Sequence, residues 1–139
     1  MSDTGLVSAE MRGPRDILLA YAALVFGWQV IGIALRAMDL PALGPTASPA
    51  MAVLALAFGA GFLWTAQRLP IGLVALSLLA ALGAGLTLVN TFKPDVDLSL
   101  WPSPLSRYAG AVINAVGVIG CVAAIRGYAR GRSAKTHSA

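Results

Sequence analysis

The stretch IGLVALSLLAALGAGLTLV, residues 71–89, contains no charged residue and no proline over its 19 positions. An α-helix rises 1.5 Å per residue, so a helix of this length crosses the ~30 Å hydrocarbon core of a bilayer. A surface helix of a soluble bundle would carry polar residues along one face at helical spacing, and this stretch has no such face. The stretch therefore predicts a membrane-spanning helix.

Three further stretches of 17 to 19 residues also lack Lys, Arg, Asp and Glu. Over the whole 139-residue chain only 12% of residues are charged, against about 25% in a typical soluble domain. The fold class that follows is an all-α membrane protein with four antiparallel transmembrane helices in an up-down-up-down bundle. The predicted spans are residues 17–36, 49–66, 70–90 and 106–126, within a membrane domain of residues 17–126.

The first apolar stretch, residues 17–35, lies where a signal peptide would lie. Its 19 residues exceed the apolar core of a typical signal peptide, which has about 7–15, and both acids and bases precede it. We therefore expect this stretch to be retained as a span. Residues 1–16 then form a cytoplasmic N-terminal segment.

Basic residues are distributed unequally between the two sides of the predicted bundle. Four spans place both chain termini on one side of the membrane, and seven of the ten Lys and Arg residues lie on that side. The positive-inside rule then predicts that both termini are cytoplasmic, N-in and C-in. Residues 127–139 are basic and rich in small polar residues, which predicts a disordered cytoplasmic tail.

Two short motifs predict where helices begin. Only QRLP, residues 67–70, connects the second and third spans, so these spans must form a tight hairpin. Pro70 suits the first turn of the third span, because its missing N–H needs no partner there. Ser48 and Pro49 likewise suit the N-cap and the first position of the second span.

The fourth span carries a stripe of small residues. Because lipid is as apolar as leucine, helices in a membrane associate through close contact between small residues and through a few hydrogen bonds. The stripe alternates steps of three and four positions: Arg107, Gly110, Asn114, Gly117, Cys121, Ala124 and Tyr128. We expect such small-residue faces to pack against another span, a membrane-protein partner or a second copy of the chain.

Four polar side chains within the spans form a candidate site. Gln29 in the first span and Asn114 in the fourth each lie seven residues from an arginine at the outer end, so their depths are nearly equal. The first and fourth spans are neighbours in an up-down-up-down bundle, which predicts that the two amides lie within reach of each other. They either hold the helices in register or, with Thr87 and Asn90, line a small outer cavity.

The segment between the third and fourth spans differs from its apolar surroundings. DVDLSLW, residues 95–101, alternates polar and apolar side chains, which is typical of an extended chain with one wet face. We expect a lid on the outer surface, with the carboxylates of Asp95 and Asp97 in water and paired with Arg36 or Arg107. The alternative is that the two carboxylates bind a divalent ion or a cationic headgroup.

Several kinds of chemistry lack the residues that they need. The only histidine, His137, lies in the tail, so a haem or metal site built on histidines is not expected. No acid lies within a span, and proton-coupled transport usually relies on such an acid. We expect no enzymatic activity, no cofactor and no bound metal. The net charge of +4 reflects the basic tail, so nucleic acid is not an expected partner.

The hypothesis that follows is a small membrane protein without enzymatic activity, an accessory or interaction component of a membrane complex. Its expected location is the bacterial inner membrane, with the lipid bilayer as its surroundings. The alternative is a small oligomeric transporter or channel for a neutral or weakly polar solute, with the four polar side chains along its path. A third hypothesis, an enzyme acting on lipids, would have to use Asp95, Asp97 and Arg107.

Overall fold

The computed structural model describes residues 9–136, and of residues 135 and 136 it describes only the backbone. Four α-helices make up most of this part: α1 (Arg12–Ala37), α2 (Pro49–Arg68), α3 (Pro70–Thr91) and α4 (Pro104–Thr136). A 3₁₀ turn, Leu98–Leu100, lies between α3 and α4, and residues 9–136 contain no strand. All four α-helices are long and apolar enough to cross a membrane. The predicted all-helical membrane fold is confirmed at this level.

The helices pack in chain order around a common core. α1 contacts α2 and α4, and α3 also contacts α2 and α4, so the four helices form a closed ring. Leu18 of α1 and Phe62 of α2 are completely buried in one apolar cluster. The cluster lies toward the end of the bundle where a single residue separates α2 from α3. We call this end the closed half, and the opposite end, which carries residues 38–48 and 92–103, the open half.

The starts of α2 and α3 follow the predicted motifs. The backbone N–H of Met51 donates to the hydroxyl of Ser48 at 3.3 Å, and Pro49 is the first residue of α2. Pro70 is the first residue of α3 and follows Leu69 directly. Both predicted starts are confirmed.

All four helices extend beyond their predicted spans, α2 and α3 by one or two residues and α1 and α4 by more. α1 begins at Arg12, five residues before the predicted start. α4 continues to Thr136, so the expected disorder is wrong for residues 127–136, which are helical. Alanine and arginine in this region favour helix, and a helix can continue where the apolar span ends. Residues 137–139, with the single histidine, and residues 1–8 lie outside the described part of the chain.

The small-residue stripe of α4 packs against α1. A methyl group on Gly117 would lie 2.8 Å from ring atoms of Tyr21, and one on Gly120 would lie 2.7 Å from the side chain of Leu18. Real carbon atoms do not approach this closely without a shift of their neighbours. The two helices therefore touch at positions where α4 has no side chain, which is the kind of contact that holds helices together in lipid.

The segment between α3 and α4 is not extended, so the lid predicted from its alternating pattern is wrong in its backbone. Leu98–Leu100 forms a 3₁₀ turn, and the backbone N–H of Ser99 donates to the carboxylate of Asp97 at 2.9 Å. Aspartate readily closes such a turn with the N–H two residues later. This local hydrogen bond favours the turn over the extended conformation that the two-residue periodicity predicted.

The seam between α1 and α4 can be tested by adding one methyl group. We expect Gly117→Ala to destabilise the protein by about 1–3 kcal/mol, because the methyl group overpacks the contact with Tyr21. Thermal unfolding in detergent, followed by size-exclusion chromatography, measures the change.

Gly85→Ala is the matched control, because a methyl group on Gly85 would meet no atom within 4 Å. Alanine favours helix over glycine by about 1 kcal/mol, so this variant should keep or raise the unfolding temperature. Equal stability of the two alanine variants would contradict the close seam.

Candidate functional site

A cavity of about 590 Å³ occupies the open half of the bundle. All four helices and both connecting segments of that half contribute to its wall, and its volume falls in the range of small-molecule sites. Most of the wall is hydrocarbon. The lining residues are Tyr21, Val25, Trp28, Gln29, Gly44, Pro45, Thr46, Met51, Leu54, Ala55, Phe58, Leu79, Ala80, Leu82, Gly83, Ala84, Leu86, Thr87, Thr91, Trp101, Arg107, Gly110, Ile113 and Asn114.

The cavity opens sideways between α2 and α3. Leu54 of α2 and Leu82 and Leu86 of α3 line the cavity and are also exposed at the surface of the bundle. In the closed half the same two helices are in tight contact, because a methyl group on Gly61 would lie 2.9 Å from Leu76. From the exposed lining residues we infer that α2 and α3 separate toward the open half and that the gap between them leads into the cavity.

Three of the four predicted site residues line this cavity. Gln29, Thr87 and Asn114 contribute to its wall, whereas Asn90 is exposed and does not. Thr91, one position later, takes that place on the wall, because residues four apart on a helix share a face. The spacing of four from Thr87 is the sequence signal that identifies Thr91.

Equal depth predicted that the two amides lie within reach of each other, but each forms its hydrogen bond with a backbone group instead. The side-chain oxygen of Gln29 accepts from the backbone N–H of Ser48 at 3.0 Å, which ties the α1–α2 connection to α1. The amide nitrogen of Asn114 donates to the carbonyl of Gly110 at 2.8 Å, within its own helix. Backbone groups thus provide a nearer partner for each amide than the neighbouring helix does.

Gln29 contributes a polar group to an almost closed part of the cavity wall. The residue is only 3% exposed and lines the cavity, and its amide nitrogen has no acceptor among the described residues.

Arg107 joins the end of α3 to the start of α4. Its Nε and Nη2 donate to the carbonyl of Thr91 at 3.0 and 2.7 Å. Thr91 is the last residue of α3, where a carbonyl has no partner within the helix. The guanidinium carbon of Arg107 also lies 4.9 Å from the ring centre of Phe92 and 5.8 Å from that of Trp101. This is cation–π geometry.

The predicted pairing of Asp95 and Asp97 with Arg36 or Arg107 is wrong. Arg36 donates to the carbonyl of Ala47 at 2.7 Å, and within the described chain the ion pair is Arg15 with Asp16. Carbonyl groups at helix ends and in the connection need a donor, whereas exposed carboxylates remain solvated by water.

Asp97 uses its carboxylate within its own segment. Interaction with the side chain of Ser99 and then the hydrogen bond from the backbone N–H of Ser99 lower the pKa of Asp97. Neither Asp95 nor Asp97 lines the cavity, and among residues 9–136 no three Asp, Glu, His or Cys side chains are grouped as metal ligands.

Two tryptophans meet at the open end of the cavity. A methyl group on Gly44 would lie 3.4 Å from Nε1 of Trp101 and 3.9 Å from Nε1 of Trp28. Neither indole N–H has an acceptor among the described residues, and both rings line the cavity. Sequence analysis did not identify this cluster. The available signal was Gly110, the small residue of the stripe against which Trp28 packs.

The polar groups of the cavity include donors, such as the indole N–H groups of Trp28 and Trp101, and acceptors, such as the side-chain oxygen of Asn114, and one polar group is charged. Arg107 is the charged residue of the lining, which includes no acid. Among the described residues of the lining, no nucleophile is paired with a base.

Comparison with known proteins gave no match: no family model, no curated protein and no solved structure is significantly similar to this chain. A functional conclusion therefore depends on the cavity and on the residues that line it.

The hydrogen bond of Gln29 gives a test of how the cavity is built. We expect Gln29→Leu to destabilise the protein by about 1–3 kcal/mol, because the backbone N–H of Ser48 loses its acceptor. Asn90→Leu is the control, since Asn90 is exposed and should change stability by less than about 0.5 kcal/mol. Unfolding temperatures in detergent compare the two, and a Gln29→Leu variant as stable as Asn90→Leu would contradict this role.

Proposed function

We propose that the protein is a small integral membrane protein that binds a weakly polar, membrane-dissolved molecule in the cavity of its open half. The observation that carries this proposal is the sideways opening between α2 and α3. It connects an apolar cavity of about 590 Å³ with the surface that four apolar helices present to lipid. A molecule in the bilayer can enter such a cavity without crossing water.

The orientation we propose is an antiparallel bundle with both termini in the cytoplasm, in a bacterial inner membrane. Contacts between α1 and α4 support the antiparallel arrangement, because Gly127 lies near Pro14 and Gly110 lies near Trp28. The excess of Lys and Arg at the closed half supports the N-in, C-in orientation. In this orientation the cavity lies in the outer half of the membrane.

The proposed role is not enzymatic. The carboxylates of Asp95 and Asp97, which a lipid-acting enzyme would have to use, are exposed and lie apart from the cavity wall. Arg107, the third residue of that hypothesis, is engaged with the carbonyl of Thr91. A binding role needs only the shape and the donors of the cavity.

Binding is a better account of the geometry than a channel. Leu18, Phe62 and Leu73 are completely buried and fill the closed half below the cavity. A solute path would therefore end inside the bundle in this conformation. Transport would require that the bound molecule leaves through the same opening, or that the closed half changes conformation to let it pass.

An accessory role in a membrane complex is the second candidate. A groove of about 520 Å³ runs between α1 and α4 at the closed half, with Glu10, Arg126 and Arg130 at its polar end. Apolar residues such as Ile17 and Val122 line the rest, so a partner helix with complementary charge would fit it. Stoichiometric co-purification of another membrane protein in mild detergent would favour this candidate.

Filling the cavity tests the proposed function. We expect native mass spectrometry of the purified protein to detect a bound lipophilic molecule, and Gly83→Phe to lose it. Gly83 lines the cavity, and a side chain there meets no atom within 4 Å, so the ring can extend into the cavity.

The control is Gly85→Phe on the same helix. Gly85 has equally open surroundings but does not line the cavity, so this variant should retain the molecule. Retention by both variants, or a wild-type protein that carries nothing lipophilic, would contradict the proposal.

Labelling of single cysteines tests the orientation. In a Cys121→Ala background, we expect Ser99→Cys to react with an impermeant maleimide added to intact cells. Gln67→Cys, at the α2–α3 connection, should react only after the membrane is opened. The reverse pattern would place both termini outside.

A further inference from the structure

We propose that the open end of the cavity binds the anionic headgroup of a membrane phospholipid, whose acyl chain occupies the apolar cavity. This inference rests on the proposed function and names the class of its ligand. It joins three observations: a cation without a carboxylate partner among the described residues, two indole nitrogens that lie near one point, and an apolar cavity that opens to lipid.

The first observation is the charge of Arg107. A guanidinium has five N–H donors, and Nε and Nη2 each direct one to the carbonyl of Thr91. No carboxylate of residues 9–136 lies within ion-pairing distance of Arg107, and a carbonyl acceptor leaves its positive charge in place. The side chain is only partly exposed and lines the cavity, so an anion there is less screened than at an open surface.

The second observation is the pair of indole donors. Nε1 of Trp28 and Nε1 of Trp101 both lie within 4 Å of one point beside Gly44, and both lack an acceptor in the described part of the chain. That point is open because Gly44 has no side chain. A phosphate presents several lone pairs at once, so it can accept from both indoles and from the unused donors of the guanidinium.

The third observation is the rest of the wall. Phe58, Leu79 and Ile113 present hydrocarbon to the cavity, and the exposed Leu82 and Leu86 mark its opening to lipid. A chain of carbon atoms matches this surface, whereas a small polar anion would leave it unfilled. Tryptophan and arginine are the residues expected at headgroup depth. The donors of the cavity therefore match the position of a phospholipid headgroup, and the apolar wall matches the position of its acyl chain.

The experiment measures quenching of tryptophan fluorescence by phospholipids with brominated acyl chains. The full-length protein carries Trp64→Phe, because Trp64 is exposed at the closed half and would report on bulk lipid. Trp28 and Trp101 then report on the cavity. Phosphatidylglycerol and phosphatidylcholine with identical brominated chains are titrated into detergent micelles that contain the protein.

Phosphatidylcholine carries the same phosphate, but its choline ammonium offsets the negative charge that Arg107 attracts. We therefore expect phosphatidylglycerol to reach half-maximal quenching at about a tenfold lower mole fraction than phosphatidylcholine, a ratio worth about one charge-assisted hydrogen bond. Arg107→Gln should abolish the difference. Arg36→Gln is the matched control: it removes an equal charge from an arginine of the open half that does not line the cavity, and it should preserve the difference.

Gly44→Ala provides a second variant in case Arg107→Gln fails to fold without its bond to Thr91. The methyl group would lie 3.4 Å from Nε1 of Trp101, in the space where the indole donors converge. This variant should weaken binding of both lipids severalfold, because each carries a phosphate that would accept from the indoles. Half-maximal quenching by phosphatidylglycerol at the wild-type mole fraction in Gly44→Ala would overturn the headgroup inference.

The remaining outcomes separate the two levels of the proposal. Equal quenching by both lipids, reduced by Gly83→Phe, would overturn the anionic headgroup and leave the proposed function standing. Equal loss of preference in Arg36→Gln and Arg107→Gln would overturn it as well, since any surface charge would then suffice. Quenching that Gly83→Phe does not reduce would overturn the binding function itself.

Discussion

Direct contact between α4 and α1 is the constraint on which the rest of the structure depends. Lipid offers no hydrophobic force that joins apolar helices, so contact has to come from close approach. Gly117 and Gly120 allow α4 to approach Tyr21 and Leu18 at distances that a side chain would prevent. This seam closes one wall of the bundle. The wall between α2 and α3 is held at one end only, by the single residue between them, and the cavity forms where those helices separate.

The features that the sequence predicted well are those set by local or periodic rules. Length without charge identifies each span, because the bilayer tolerates no unpaired charge over ~30 Å. Ser48 and Pro70 mark helix starts, since capping involves only neighbouring residues. The stripe of α4 was predictable because steps of three and four place residues on one face of any helix. Gln29 and Asn114 share a wall because they were predicted at nearly equal depth on neighbouring helices.

The features that sequence reasoning missed depend on competition between partners. Asp95 and Asp97 are the carboxylates nearest to Arg107 along the chain, yet Arg107 donates to the carbonyl of Thr91 instead. An unpaired carbonyl at a partly buried helix end costs more than a carboxylate left in water, and spacing along the chain does not reveal that balance. The prediction that Asn90 lines the cavity is wrong for a geometric reason, because one position along a helix turns a side chain by about 100°. That turn carries the amide from the cavity to the surface.

The role of Arg107 depends on its having no ion pair with Asp95 or Asp97. An arginine that paired with Asp95 or Asp97 would be neutralised and would leave the cavity wall without a net charge. By bonding the last carbonyl of α3, Arg107 completes the end of that helix and keeps its positive charge. Its aromatic neighbours, Phe92 and Trp101, hold the guanidinium plane without neutralising it. The residue that connects α3 to α4 thus also gives the cavity wall its positive charge, and in the proposed binding mode the contact that stabilises the fold would also favour an anionic ligand.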